Sequence, residues 1–470
     1  MITVRNTKYT AYEQDIRELL QAFFPGETLT GEEDGEAFFR VDADALGDGL
    51  RLTGNRLEDK SDLKRALYLQ ISASTGKTLP WGTLTGIKPV KLADRLLAGG
   101  MQPEEAAAYL TEHYLLSGEK RDLVMRIALR ERELLKALPE KGYSFYLGIP
   151  FCPTRCLYCS FTSNPIGRFG GRVEEYLEDC EKELKSFARL QERNSGRRKA
   201  SPSTLYIGGG TPTALSASQL HRLLTSVETF VDTGGLLEYT VEAGRPDSIT
   251  PEKLQVLREH GVGRISVNPQ TMNQKTLDLI GRRHTAGQTL EAYDMARKAG
   301  FENINMDVIM GLPGENVSDV EHTLDVIRGL APDSLTVHAL AVKRAARLST
   351  EHDPWSDYDR AQGEEMSEMI RMGAECARSL GMVPYYLYRQ KNIAGNQENT
   401  GYAVPGKESL YNIVMMEEKQ PVIGFGAGST TKTGSAGNQR MENIKDLTAY
   451  LDRIDELILK KEQFLLFSGY

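Results

Sequence analysis

Three of the five cysteines in this 470-residue chain, Cys152, Cys156 and Cys159, are bunched as C-x3-C-x2-C. An apolar, β-prone run (Phe145, Leu147, Ile149) leads into them and Pro150 ends it, which predicts a loop at the mouth of a strand. Two kinds of metal chemistry suit such a trio. Structural zinc wants a closed tetrahedron, usually from two separated ligand pairs, yet no Cys-x2-Cys or His-x3-5-His partner follows. A four-iron cluster takes one thiolate per iron, so three thiolates leave one iron open for chemistry. The spacing favours the cluster and keeps zinc as the alternative.

From Tyr143 strands and helices alternate, the pattern of a parallel sheet wrapped by helices. Later strands are expected at Thr204–Ile207, Leu237–Val241, Arg264–Val267, Ile304–Ile309 and Leu335–Ala339. Helices are expected at Arg172–Leu190, Ala217–Phe230, Pro251–His260, Leu290–Lys298 and Val317–Leu330. Six βα units are too few to close an eight-unit barrel, so the expected fold is α/β, an open partial (β/α)6 barrel. Cys180 and Cys376 fall on apolar helix faces and read as core.

The length implies two or three domains. Residues 1–140 read as an α+β and helical extension: a strand at Ile2–Val4, a helix at Glu13–Phe24 and a hairpin from Phe38–Val41 with Leu50–Leu52. Helices follow at Asp62–Ser72, Val90–Ala98, Pro103–Leu116 and Arg121–Leu138. The stretch TGKTLPWGTLTGIKPVK reads as a connector burying Trp81, or as a contact for an anionic ligand. Residues 141–389 form the barrel. Residues 390–470, with GFGAGST and a final helix near Ile444–Leu459, read as a small α/β domain covering the substrate.

The net charge of −8 argues against nucleic-acid binding, and no signal or apolar span of membrane length appears. Few, bunched cysteines suit a reducing compartment, hence the cytoplasm.

Polar residues recur where the strands end, the place where barrels of this kind collect chemistry. GGGTPT follows the second strand, Glu242 ends the third, Gln270 follows the fourth, Asp307 lies in the fifth, and Arg282 sits in GRRHT.

IPFCPTRCLYCSF resembles the radical S-adenosylmethionine (radical SAM) signature, with Tyr158 as the aromatic residue before the last cysteine. YLGIPFCPTRCLYC, YIGGGTPT, TVEAGRP, RISVNPQTMN, GRRHT and MDVIMGLPGE are similar, in order and spacing, to the oxygen-independent coproporphyrinogen oxidase and heme-chaperone group of that superfamily. Gly148, LTVHALAVKRAARL, PYYLYRQKN and GFGAGST look most like its HemZ branch, the coproporphyrinogen dehydrogenases; the likeness covers about residues 141–432.

The resemblance implies that Cys152, Cys156 and Cys159 hold a [4Fe-4S] cluster. It places Tyr146 against S-adenosylmethionine and Tyr158 beside the adenine. Gly209, Gly210 and Thr211 take the amino group, while Glu242, Gln270, Arg282 (or, one position on, Arg283) and Asp307 make the other cofactor contacts. Ala341 supplies a backbone contact near the adenosine. The implied reaction converts coproporphyrinogen III to protoporphyrinogen IX through a 5′-deoxyadenosyl radical, with no catalytic side chain beyond cluster and cofactor. A substrate bearing propionates calls for cations, and Lys343, Arg344, Arg347, Arg389 and Lys391 are the candidates. With no second cysteine cluster, the electron is expected from an external flavodoxin or ferredoxin. One alternative is a heme carrier with His338 as axial ligand; another is anaerobic heme ring-opening with methyl transfer. Two positions depart from the family: Gly148 where relatives usually carry histidine, and Phe161 where the oxidases carry a further, non-ligand cysteine.

Overall fold

The computed structural model describes residues 2–30, 39–46, 53–86, 88–194, 201–341, 363–390, 397–434 and 439–467. The chain divides into two compact units. One comprises residues 1–130, 354–364 and 387–398, the other residues 131–353, 365–386 and 399–470.

In the first unit, β1 (Ile2–Arg5) pairs in parallel with β2 (Leu29–Thr30) and β3 (Phe39–Asp42). The parallel pairing arises because α1 (Glu13–Phe23) carries the chain back before β2 and β3 begin. Leu50–Leu52 lie outside the described residues. Helix α1 turns Ile16, Leu19, Leu20 and Phe23 inward against Leu63, Leu67 and Ile71 of α2 (Arg56–Thr75), whose start is capped by Asn55. Next come α3 (Val90–Ala98), α4 (Pro103–Tyr114) and α5 (Gly118–Leu134). Trp81 is wholly buried; its indole N–H donates to Glu398 Oε2 at 3.0 Å, and Lys120 Nζ donates to Glu398 Oε1 at 2.7 Å. Trp81 is therefore buried, as the reading of this stretch as a connector expects.

The second unit opens with β4 (Gly142–Ile149), β5 (Phe151–Cys152), β6 (Asn164–Pro165), α6 (Ile166–Phe169), α7 (Val173–Asn194), β7 (Ser201–Gly209) and α8 (Ala217–Phe230). It continues with β8 (Glu238–Glu242), α9 (Pro251–Glu259), β9 (Arg264–Ser266), α10 (Gln274–Leu279), α11 (Ala286–Lys298), β10 (Ile304–Met310), α12 (Val317–Leu330) and β11 (Ser334–Ala339). Then follow α13 (Gly363–Ser379), β12 (Val383–Tyr388), β13 (Asn399–Ala403), α14 (Leu410–Glu417), β14 (Val422–Phe425), β15 (Thr430–Lys432), β16 (Arg440–Glu442), α15 (Leu447–Asp452) and α16 (Ile454–Phe467). One sheet joins the strands in the order β12-β13-β11-β10-β9-β8-β7-β4-β14-β15-β16.

Its central six strands, from β11 to β4, are all parallel: the α/β partial barrel. Strands from the tail extend it on both sides. β13 runs antiparallel to β11, and β14 lies parallel to β4 with Val422 opposite Ser144. The expected final helix is two, because the chain leaves helical geometry at Arg453. Cys180 and Cys376 are fully buried, as their spacing required.

A buried carboxylate ties the tail to α7. Glu183 accepts from Tyr450 Oη (2.7 Å), Asn443 Nδ2 (2.9 Å), the Gly426 amide (2.7 Å) and Lys461 Nζ. Burial pushes its pKa up, but the Lys461 charge and these hydrogen bonds outweigh that and hold it below the usual carboxylate value. Among the described residues no helix is long and apolar enough to cross a membrane.

Candidate functional site

The cysteine loop leaves the carboxyl end of β4 and is closed by the pairing of β5 with β6. Within it the Cys159 amide donates to the Cys156 carbonyl at 3.2 Å, a tight turn. A second turn, Ile280–Gly281, props the loop: the Leu157 amide donates to Ile280 O (2.9 Å) and Thr154 Oγ1 to Gly281 O (3.0 Å). Arg245 reaches in with Nη1 3.7 Å from Cys156 Sγ and 3.1 Å from Thr154 Oγ1, its charge balanced by Asp247 at 2.8 Å. Cys152 Sγ lies 3.4 Å from Thr211 Oγ1. Burial raises the Cys152 thiol, and it raises Cys159 to about 11, where the charges of the other two cysteines add to it. Thiols raised in this way give up their protons readily to a metal that binds the sulfur. Among the described residues no three His, Cys, Asp or Glu side chains converge on a single-ion site, whereas a cluster asks only one thiolate per iron.

Against this loop lies the glycine run. Gly209 has φ +107°, and a Cβ on Gly210 would fall 2.6 Å from the Phe151 carbonyl and 3.0 Å from Cys152 Sγ. Only glycine lets the main chain pass there. The Gly209 amide donates to Glu242 Oε2 (3.2 Å) and Tyr206 Oη to Glu242 Oε1 (2.6 Å). Desolvation lifts Glu242 to about 7, with Asp307 adding to the rise. The Tyr146 ring stacks near Tyr206 and Tyr411 at 6.3 and 6.1 Å, and its hydroxyl lies 3.2 Å from where a Gly209 Cβ would stand.

Gln270 follows β9 in left-handed backbone, φ +67°, bracketed by hydrogen bonds to the Asp307 carbonyl (3.0 Å) and from the Ile309 amide (2.9 Å). A non-glycine residue held there stores strain, a mark of functional positions. Asp307 accepts from Asn305 Nδ2 at 2.7 Å, and His338 Nε2 lies 3.8 Å from its other oxygen. Burial acts to raise Asp307, but hydrogen bonds and charge from His338, with help from Asn305 and Thr336, leave it below the usual value.

Arg282 is buried and Arg283 exposed. Arg282 Nη1 donates to the Asn268 and Pro269 carbonyls, and the side chain also hydrogen-bonds Cys156. Tyr158 is half-buried within reach of the Arg282 charge, and Ala341 follows the end of β11.

The fold therefore brings Cys152, Cys156, Cys159, Tyr158, Thr211 and Arg282 around the loop. Tyr146, Gly209, Gly210, Glu242, Gln270 and Asp307 line the adjoining strand ends. Arg389 lies instead in the first unit, its guanidinium 4.9 Å from the Trp81 ring and donating to Leu84 O at 2.5 Å. Lys343, Arg344, Arg347 and Lys391 fall outside the described residues. Three participants escaped the sequence reading: Arg245, Asn268 and Tyr411. Arg245 and Asn268 lie inside quoted motifs; Tyr411 comes from the tail with no local signal.

Do these residues fit the implied cofactors? Gln270 Oε1, Asn268 Oδ1 and Arg282 Nε are buried without a hydrogen-bond partner. Each such atom costs about 1–3 kcal/mol unless something completes it. S-adenosylmethionine carries a carboxylate, an ammonium, a sulfonium and ribose hydroxyls. An arginine, two carboxylates, amide oxygens and a glycine turn beside three thiols match that set.

The Radical SAM superfamily profile matches residues 146–327. The oxygen-independent coproporphyrinogen-III oxidase-like protein HemZ of Bacillus subtilis is 42% identical over 411 residues, covering 85% of this chain and 80% of that protein. The heme chaperone HemW of Lactococcus lactis is 31% identical, covering 69% and 79%. The solved structure of coproporphyrinogen III oxidase (HemN) from Escherichia coli superposes with TM-score 0.53 at 22% identity, over 69% of this chain and 72% of that one, which establishes the shared fold. With that fold, a cradle matched to a [4Fe-4S] cluster and S-adenosylmethionine, and relatives at this identity, the chain belongs to the radical SAM superfamily, in the oxygen-independent coproporphyrinogen III oxidase and heme-chaperone group, beside HemZ.

Proposed function

We propose that the protein catalyses the oxygen-independent oxidative decarboxylation of coproporphyrinogen III to protoporphyrinogen IX, in the cytoplasm. The observation that carries this reading is the set of unpaired buried atoms on Gln270, Asn268 and Arg282 beside three thiols. Its substrate class follows from the oxidase-like name of the HemZ relative.

Cys152, Cys156 and Cys159 hold the cluster. Arg282 takes the cofactor carboxylate, and Gly209, Gly210 and Thr211 present main-chain groups to its amino end. Glu242, Gln270 and Asp307 accept its remaining donors, Tyr146 and Tyr158 flank it, and Ala341 meets the adenosine. When bound and given one electron, the pair would supply the power to take a hydrogen atom from an unactivated C–H bond; the propionate so oxidised would lose CO2 and pass its remaining electron to an external one-electron acceptor. Arg245 and Arg282 offset the negative charge of the ligated thiolates. Lys343, Arg344, Arg347 and Lys391 are the proposed propionate partners; Arg389, buried against Trp81, is not among them. A flavodoxin or ferredoxin supplies the electron.

Anaerobic incubation with reductant, S-adenosylmethionine and coproporphyrinogen III tests this. The expected products are 5′-deoxyadenosine, CO2 and protoporphyrinogen. A second reading, a heme chaperone, is favoured by the HemW relatives and by His338, whose imidazole has Asp307 at hand to orient it. Stable heme uptake with no decarboxylation would establish that reading instead, and a ring-opened product would point to the third.

A further inference from the structure

Cys159 is the least buried of the three thiols, and the next residue but one is Phe161, whose side chain is 67% exposed. The Phe161 amide hydrogen-bonds the Cys159 sulfur. An apolar ring in water is thus joined to a cluster ligand by one residue's main chain and one hydrogen bond.

The charge around it is lopsided. The chain is acidic overall, yet Lys141 to Val173 contains no aspartate or glutamate. Arg168 is exposed and, among the described residues, has no carboxylate partner; its guanidinium rests 5.3 Å from the Phe169 ring. Arg283 is exposed on the turn that props the cysteine loop. Lys445 is exposed, and it and Thr162, the neighbour of Phe161, both lie close to where a Cβ on Gly428 would stand. An exposed apolar side chain on a loop whose adjoining segments carry exposed cations, in an acidic protein, suits an acidic partner.

We infer that the exposed part of the cysteine loop, with Phe161 as its apolar anchor and Arg168, Arg283 and Lys445 on the segments that adjoin the loop, receives a small acidic one-electron carrier protein. The carrier gives up one electron and is oxidised by one; the cluster behind Cys159 gains it. This rests on the cluster assigned above and adds where the donor sits.

The reconstituted full chain is titrated anaerobically with a flavodoxin and with a ferredoxin, and with the same carriers after the double change Phe161→Asp, Arg168→Glu. The expected result is at least tenfold weaker carrier binding by the variant, and cluster reduction by the carrier slowed in proportion. Cluster content, reduction by dithionite and the spectral response to S-adenosylmethionine stay as in the parent. Salt should weaken the parent's binding far more than the variant's. Unchanged affinity and unchanged carrier-driven reduction in the variant would overturn the assignment of this face. A parent protein whose iron centre dithionite cannot reduce, or which ignores S-adenosylmethionine, would instead bring down the cluster reading and this inference with it.

Discussion

Glu183 and Glu242 are both carboxylates taken out of bulk water in the same sheet-and-helix unit, and their surroundings answer that burial in opposite ways. Glu183 has no exposed side-chain surface, and its oxygens are engaged by a lysine, a tyrosine, an asparagine and an amide. Glu242 has one tyrosine hydroxyl and one amide, with Asp307 nearby raising its pKa further and some of its surface still reached by water. One is completed by the protein itself and serves to hold the tail. The other is left short of positive charge at the strand ends, beside three thiols. Where a buried charge is satisfied internally the role is architectural; where it is not, a ligand is owed.

The sharpest way to break this contrast is to take away the Glu183 cation. Lys461→Met should cost about 3–5 kcal/mol, because the carboxylate it leaves behind is buried and uncompensated. Urea unfolding reads this directly, and a loss below about 1 kcal/mol would put Glu183 on the same footing as Glu242.

The pH dependence of unfolding comes next. Glu242, raised from 4.5 to about 7, binds its proton more tightly folded than unfolded, so its share of stability declines as pH rises between those values, by at most about 3 kcal/mol. Water access makes the real figure smaller. Glu183 runs the other way: its contribution is present above its unfolded pKa and is lost as pH falls through its depressed folded value. Melting curves across that window should lose the Glu242 decline in Glu242→Gln. They should also flatten when S-adenosylmethionine, a cation at two of its groups, is added to the parent. A Glu242→Gln curve identical to the parent's would contradict the assignment.

The smallest effect separates the cradle from the scaffold. Gly210→Ala pushes a methyl against the Phe151 carbonyl and Cys152 Sγ, an overpacking of about 1–3 kcal/mol. Iron bound per chain should fall while the Glu183 network keeps its acid-unfolding behaviour. Full iron loading in this variant would show that the glycine is needed only for the turn.

Much of the barrel is legible in the residues because its signals are local. The helices at Ala217–Phe230 and Val317–Leu330 fall where the sequence placed them, each opened by a capping box. The cysteine loop follows from one apolar run and one proline. What could not be read is what joins distant segments. Nothing near Glu183 announces Lys461, and nothing near Tyr411 announces that its ring would stack on Tyr206 at 4.5 Å. The parallel pairing of β3 with β1 was missed for the same reason, since an apolar strand shows its alternation and not its partner. The choice between Arg282 and Arg283 needed three dimensions, because adjacent residues on a turn differ only in which way each points.

The pairing of β14 with β4 has a consequence for biogenesis. On a ribosome, the strand that bears the cysteine loop is made early and keeps one raw edge until Val422–Phe425 emerge to cover it. A nascent or truncated chain would present that open border as a template for aggregation. The β4 edge is therefore expected to be protected only once Val422–Phe425 have been made.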